Sequence, residues 1–149
     1  MPIFDDVSHL MKDALRAKDS IRLAALRSMR AAFLNELKKD NSETLSDAAC
    51  IPLLRRLEKQ RKESIEAFET GGRPERADEE RAELAVIEGF LPSLADEATT
   101  RAWVRESIQS SGARAPGDVG RVMGALMKAH KGEVDGGLAR KVAAELLAE

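Results

Sequence analysis

The chain has 149 residues, enough to bury about two-thirds of the surface its unfolded form exposes, so it needs no disulfide or metal staple. Its 24 Lys and Arg stand against 26 Asp and Glu, a formal net charge of −2, which excludes a chain-wide polycation that holds nucleic acid by charge alone. With 43% hydrophobic and 34% charged residues it reads as a globular protein and not as a disordered tail.

The rare residues exclude more. A single cysteine, Cys50, leaves no intrachain disulfide and points to a reducing compartment, with the cytoplasm as the expected location. Cys50 and two distant histidines, His9 and His130, cannot build a zinc-finger ligand set, and there is no acidic calcium loop, so no cofactor or metal is implied. Aromatics are 3% and tyrosine is absent, which argues against platforms that stack bases. No apolar run approaches the roughly 20 residues a membrane helix needs, and the stretch from Met1 to Lys12 lacks a signal-peptide core. Ala and Leu number 23 and 17, against 17 for Val, Ile and Thr combined. No stretch sustains period-two alternation, so the expected fold is all-α.

The periodicity predicts a first helix from Phe4 to Ala17, with Phe4, Val7, Leu10 or Met11, and Ala14 on one face. The break Lys18-Asp19-Ser20 supplies a cap. A second helix, Ile21 to Lys39, follows after so short a turn that the pair should form a hairpin. Asp40 to Thr44 is a loop. Ser46 reads as the N-cap of a third helix and Leu45 as a staple onto Cys50. Pro52 lies six residues past that cap, which predicts a kink or a true start nearer Ile51. Leu54, Leu57, Ile65 and Phe68 should face inward, and Gly71-Gly72 should end the helix. Pro74 opens a fourth helix with Leu84, Ile87 and Leu91 inward, closed by Phe90-Leu91-Pro92. A domain boundary is placed between Pro92 and Ala95, giving an N-terminal helical domain over 1–94 and a C-terminal three-helix bundle over 95–149. In the latter, Asp96 caps a fifth helix bearing Trp103, Val104 and Ile108. A sixth runs from Asp118 to Ala129, and Asp135 caps a seventh with Leu138, Val142 and Leu146 inward.

Nucleophile–base pairs and paired carboxylates are what a hydrolase or transferase requires, and the sequence offers few. His130 at a helix end reads first as a dipole partner, and Cys50 as a packed core thiol. Asp78-Glu79-Glu80 at the start of the fourth helix is accounted for by the macrodipole. No P-loop or dinucleotide fingerprint is present. Arg55, Lys59 and Lys62 share a face of the third helix, where a solvated face is favoured over a phosphate or partner contact.

Residues 112–142 hold six basic and three acidic residues. Arg121 and Lys128 are seven apart and share a face that includes Gly124; Lys131 follows at the helix end. Gly120 and Gly124 have a small-xxx-small spacing, read as helix packing ahead of recognition. The amides of Gly136-Gly137 open the seventh helix, where an anion could bind, but a capping Asp135 would oppose one.

The segment Arg121-Val-Met-Gly-Ala-Leu-Met-Lys-Ala-His-Lys-Gly132, followed by Asp135-Gly136 and Leu138, resembles the C-terminal signature of the GatB/YqeY family. Leu57-Glu-Lys-Gln-Arg-Lys-Glu-Ser-Ile-Glu-Ala-Phe68 ahead of a Gly-Gly pair resembles it too. So do Glu83-Leu-Ala-Val-Ile-Glu-Gly-Phe-Leu-Pro92 and Ala25-Leu-Arg-Ser-Met-Arg-Ala-Ala32. The likeness covers essentially the whole chain and is that of a stand-alone YqeY-type protein. It implies an all-α fold whose C-terminal part is similar to the tail of the B subunit of the glutamine-dependent aspartyl/glutamyl-tRNA amidotransferase. That tail contacts tRNA, while the carbon–nitrogen ligase chemistry lies elsewhere. The resemblance therefore implies a non-catalytic protein that binds tRNA or associates with the amidotransferase. The expected RNA surface is Arg121, Lys128, His130, Lys131, Arg140 and Lys141, of which Arg140 and Lys141 cannot both point the way Lys128 does. Glu133 departs from a position that is often basic in the family. The alternative is a helical protein-interaction module, with a protein partner in tRNA metabolism; ranked last, and implied by the resemblance alone, is a role accessory to carbon–nitrogen ligase activity with glutamine as amide donor.

Overall fold

Four side chains set the helix starts. Asp19 accepts from the Arg22 amide at 3.1 Å, Ser46 from Ala49 at 3.2 Å, Asp96 from Thr99 at 2.8 Å and Asp135 from Leu138 at 3.1 Å. Each satisfies an amide that the first helical turn leaves without an internal acceptor. In the computed structural model, which describes residues 2–149, the elements are α1 (Ile3–Arg16), α2 (Ser20–Leu37), α3 (Asp47–Thr70), α4 (Pro74–Glu88), α5 (Glu97–Ser111), α6 (Val119–Ala129) and α7 (Gly136–Leu147). A 3-10 turn at Pro116–Asp118 precedes α6. Every regular element among the described residues is helical.

The chain divides into two compact units, one ending at Leu91 and one spanning Pro92–Glu149. In the first, α1 and α2 pack together across a tight turn in which Lys18 adopts a left-handed φ of 56°. Their apolar stripes meet α3 and α4 in a core of Val7, Ala14, Leu26, Met29, Phe33, Cys50, Leu53, Leu54 and Ile87. Leu45 packs on this core, as a staple ahead of the Ser46 cap should.

Two local expectations for α3 need correction. The helix starts directly after Ser46 and carries Pro52 inside it, so the later start near Ile51 is not found. Proline removes the bond to the Ala48 carbonyl. Ala48 and Pro52 are both exposed, so the missing bond lies on the solvent side of α3. At the other end Gly71 keeps an ordinary φ of −80°, and Gly72 takes the left-handed conformation at φ 72°. The Arg73 amide then reaches back to the Phe68 carbonyl at 2.8 Å and closes the helix. Ile65 and Phe68, expected inward, are only half-buried.

In the second unit α5, α6 and α7 surround their own core of Val104, Ala113, Val122, Met123, Leu126, Val134, Ala139, Val142, Ala143 and Leu147. Trp103, Ile108, Val119, Leu138 and Leu146 pack at its edge. Arg101 joins the outer faces of α5 and α7 by bonding both Glu97 and Glu145, at 3.3 and 3.1 Å.

Candidate nucleic-acid interface

The surface expected from the sequence lies on α6, on the loop after it and on α7. Seven residues are about 20° short of two helical turns, so Arg121 and Lys128 lie almost in line along α6, opposite the buried Val122, Met123 and Leu126. Both are exposed, as are Lys131, Arg140 and Lys141. None of these five forms an ion pair among the described residues. Arg121 does act at a distance: it adds to the pull of the Arg114 and Ala115 amides, which hold the Asp118 carboxyl below its usual range. Arg140 and Lys141 are adjacent on α7, about 100° apart around its axis, and so present their charges in different directions.

Gly120 and Gly124 correct a further expectation. Both are exposed, and a Cβ built at either would meet nothing within 4 Å. The spacing serves no helix packing inside the chain. It leaves a strip of α6 without side chains beside Arg121 and Lys128.

The loop from His130 to Asp135 is held at several points. Gly132 takes a left-handed φ of 76°, which lets the chain reverse. The Glu133 carbonyl accepts from the Ala95 amide at 2.8 Å, and Val134 is buried in the core. His130 lies face to face with Trp103, ring centroids 3.7 Å apart and planes within 5°. Its Nδ1 sits 2.8 Å from Glu133 Oε2. A carboxylate only accepts, so Nδ1 carries the proton and donates to Glu133. The neutral ring then has only an acceptor at Nε2, so His130 meets a phosphate as a donor only when doubly protonated. In the structure its ring is held by Trp103 and Glu133, in the loop between Lys128 and Lys131. The sequence carries no signal for the stack, because Trp103 stands 27 positions away. Replacing His130 with Ala is expected to cost about 1 kcal/mol of stability, the worth of an aromatic contact. It should also brighten Trp103 emission by removing a quencher from the ring face. An unchanged emission would show that the rings do not stack in solution.

Asp135 caps α7 as expected. Its Oδ1 accepts from Leu138 and lies 3.4 Å from where a Gly137 Cβ would stand. The α7 N-terminus is therefore occupied by a carboxylate.

The other candidate groups are absorbed by the structure. On α3, Arg55 and Lys62 both meet Glu58, at 3.3 and 3.9 Å. Arg61 bonds Glu80 at 2.8 Å and also meets Glu83. Glu80 and Asp78, at the start of α4, thus answer to Arg61 and Arg81 and not to the helix dipole alone. Burial, with the Asp47 carboxylate adding to it, pushes the Cys50 thiol up to about 11, which keeps it protonated and inert. His9 is exposed, 3.9 Å from Asp13. Among the described residues no helix is long and apolar enough to cross a membrane.

Comparison with known proteins bears on this arrangement. The chain is similar to three fungal proteins named "Altered inheritance of mitochondria protein 41, mitochondrial". It is 30% identical over 105 residues to that of Eremothecium gossypii, covering 66% of this chain and 57% of that protein. It is 32% identical over 93 residues to that of Lachancea thermotolerans, covering 60% and 50%. It is 28% identical over 127 residues to that of Pyrenophora tritici-repentis, covering 82% and 67%. The chain thus spans about half to two-thirds of the length of these curated relatives. Residues 4–147 match the family described as Yqey-like protein, a span that includes α6, its loop and α7 as well as the five helices before them, all but Ile3 of α1. On that match, the chain belongs to the YqeY-like family.

Proposed function

We propose that this chain is a non-catalytic RNA-binding protein whose second unit contacts tRNA phosphates through Arg121, Lys128 and Lys131, with Arg140 or Lys141 at the edge. The observation that carries this reading is the set of five exposed cations that no carboxylate neutralises, in a unit with eight basic and eight acidic residues. Unpaired Lys and Arg on a rigid helix and an anchored loop are what phosphate contact requires. The bare strip at Gly120 and Gly124 supports the same reading, since it admits a backbone close to α6. The choice of tRNA among polyanions, and the association with the amidotransferase, rest on the likeness of Arg121–Gly132 to the tail of that enzyme. Scarce aromatics favour recognition by shape and backbone over base stacking. The compartment that suits the buried free thiol of Cys50 is a reducing one, the cytoplasm in this reading, whereas the names of the three relatives place those proteins in mitochondria.

The test is a titration against bulk tRNA at two salt concentrations, with duplex DNA as control. The wild type should bind tRNA more tightly than DNA and weaken steeply with salt. Lys128→Glu with Lys131→Glu should lower tRNA affinity about tenfold and flatten the salt dependence, with helix content unchanged. Equal affinity at fixed salt would remove this surface.

A protein partner is the second reading. It is favoured by Leu15 and Ile21, 61% and 40% exposed on either side of the α1–α2 turn.

A further inference from the structure

The first unit holds a basic face on α2, whose Arg27 and Arg30 lie within the family-like stretch Ala25–Ala32. Helix α2 buries Ala25, Leu26, Met29, Phe33 and Leu37. At about 100° per residue, Ala24, Arg27, Ala31, Leu34 and the C-capping Lys38 fall on the opposite side, with Arg30 at its edge. All six are exposed. The one carboxylate between Ser20 and Lys38 is Glu36, and Lys39 takes it at 2.9 Å. Just beyond, Asp40 is engaged by the amide and hydroxyl of Ser42. Arg27, Arg30 and Lys38 form no ion pair among the described residues.

Several cations on the neighbouring helices are paired within the unit. Arg55, Arg61 and Lys62 on α3 are taken by Glu58, Glu80 and Glu83, and Arg81 on α4 by Asp78 and Glu69. A basic face left open over about 16 Å of helix, with no carboxylate of the unit bonded to it, suits an anion from outside.

We propose that the exposed face of α2, built on Arg27, Arg30 and Lys38, is a second phosphate-binding surface that takes the sugar–phosphate backbone of RNA. The proposal rests on the RNA reading of the second unit. Two of the three cations are arginines, whose planar fork matches phosphate oxygens two at a time. Ala24 and Ala31 keep the surface low, so a backbone can approach the helix. The face is poor in what a stable protein interface needs. It offers one leucine, Leu34 at 36% exposure, and two alanines, where such an interface covers about 800 Å² on each partner around an apolar centre.

The experiment uses the full chain. Arg27→Glu with Arg30→Glu, and the gentler Arg27→Gln with Arg30→Gln, are titrated against bulk tRNA over a range of salt, beside the wild type and the Lys128→Glu, Lys131→Glu variant. Both α2 positions are exposed, so circular dichroism and melting should match the wild type. The expected result for the glutamate pair is about a tenfold loss of affinity and a log–log salt slope shallower by about 1.5, since each lost contact removes close to 0.7–0.9. The glutamine pair should show the same slope change with a smaller loss. A wild type that binds, an α2 pair that binds equally with an unchanged slope, and a weakened Lys128/Lys131 pair would overturn the α2 surface and leave the second-unit reading standing. An α2 face without effect would then be open to an acidic protein. Weakening by the α2 pairs alone would uphold this surface and remove the other. A wild type without salt-dependent tRNA binding would overturn both.

Discussion

Phe33→Ala should cost the first unit about 4 kcal/mol and lower its denaturation midpoint sharply. Phe33 is fully buried in the centre of α2's inward face. Its ring meets Phe4 of α1 with centroids 6.1 Å apart at a tilt of 48°, and it shares a core with Leu54 of α3 and Ile87 of α4. Truncation removes the transfer energy of the ring and leaves a cavity that four helices cannot close together, and such changes cost about 3–5 kcal/mol. Phe33→Leu fills most of the space and should recover more than half. The readout is urea denaturation followed by helix signal at 222 nm. A midpoint equal to that of the wild type would mean that α1 and α3 do not meet over this ring.

Arg61→Met should destabilise the same unit by about 2 kcal/mol at neutral pH, and the loss should shrink on acidification. Arg61 is about one-fifth exposed; it bonds Glu80 and Glu83 of α4 and reaches the Ser28 hydroxyl of α2. Methionine keeps the bulk and leaves two carboxylates facing each other without their cation. Removing one partner of a buried pair costs about 3–5 kcal/mol, discounted here because water reaches the group. Burial already lifts Glu83 above the usual carboxylate range; Arg61 pulls it down, and Glu80 and Glu79 push it further up. The folded protein therefore holds the Glu83 proton more tightly than the unfolded chain does, and stability falls as pH rises through the window between the ordinary and the lifted value. Without Arg61 that window extends upward, so more is lost at pH 7 and more is regained near pH 5. Adding Glu80→Gln and Glu83→Gln should restore most of the loss at neutral pH. A penalty equal at pH 5 and pH 7 would show that Arg61 acts by packing alone.

The sequence by itself determined what depends on neighbours within one or two turns. Asp19, Ser46, Asp96 and Asp135 announce helix starts because a short acceptor three residues before an amide satisfies it in any context. The 3.6-residue spacing marks the buried stripes of α2 and α6 for the same local reason. Helix geometry alone puts Lys128 and Arg121 on one face. The seven helices and the four side-chain caps were thus legible, apart from Pro52, where the sequence leaves the start of α3 open.

Only the tertiary structure decided which side chains meet across helices. Gly120 and Gly124 have a packing spacing, but a spacing permits a neighbour without supplying one, and none is there. Arg61 reads as one more charge on α3 until α4 brings two carboxylates to it from 19 and 22 residues away. His130 reads as a helix-end cation until α5 lays Trp103 against its ring. The open basic face of α2 is likewise invisible in a run of residues, because what defines it is that no carboxylate of the helices folded around it pairs with its cations. Local bonding is written in local sequence. The pairing or exposure of a charge depends on chain distant in sequence, and only folding brings that chain near.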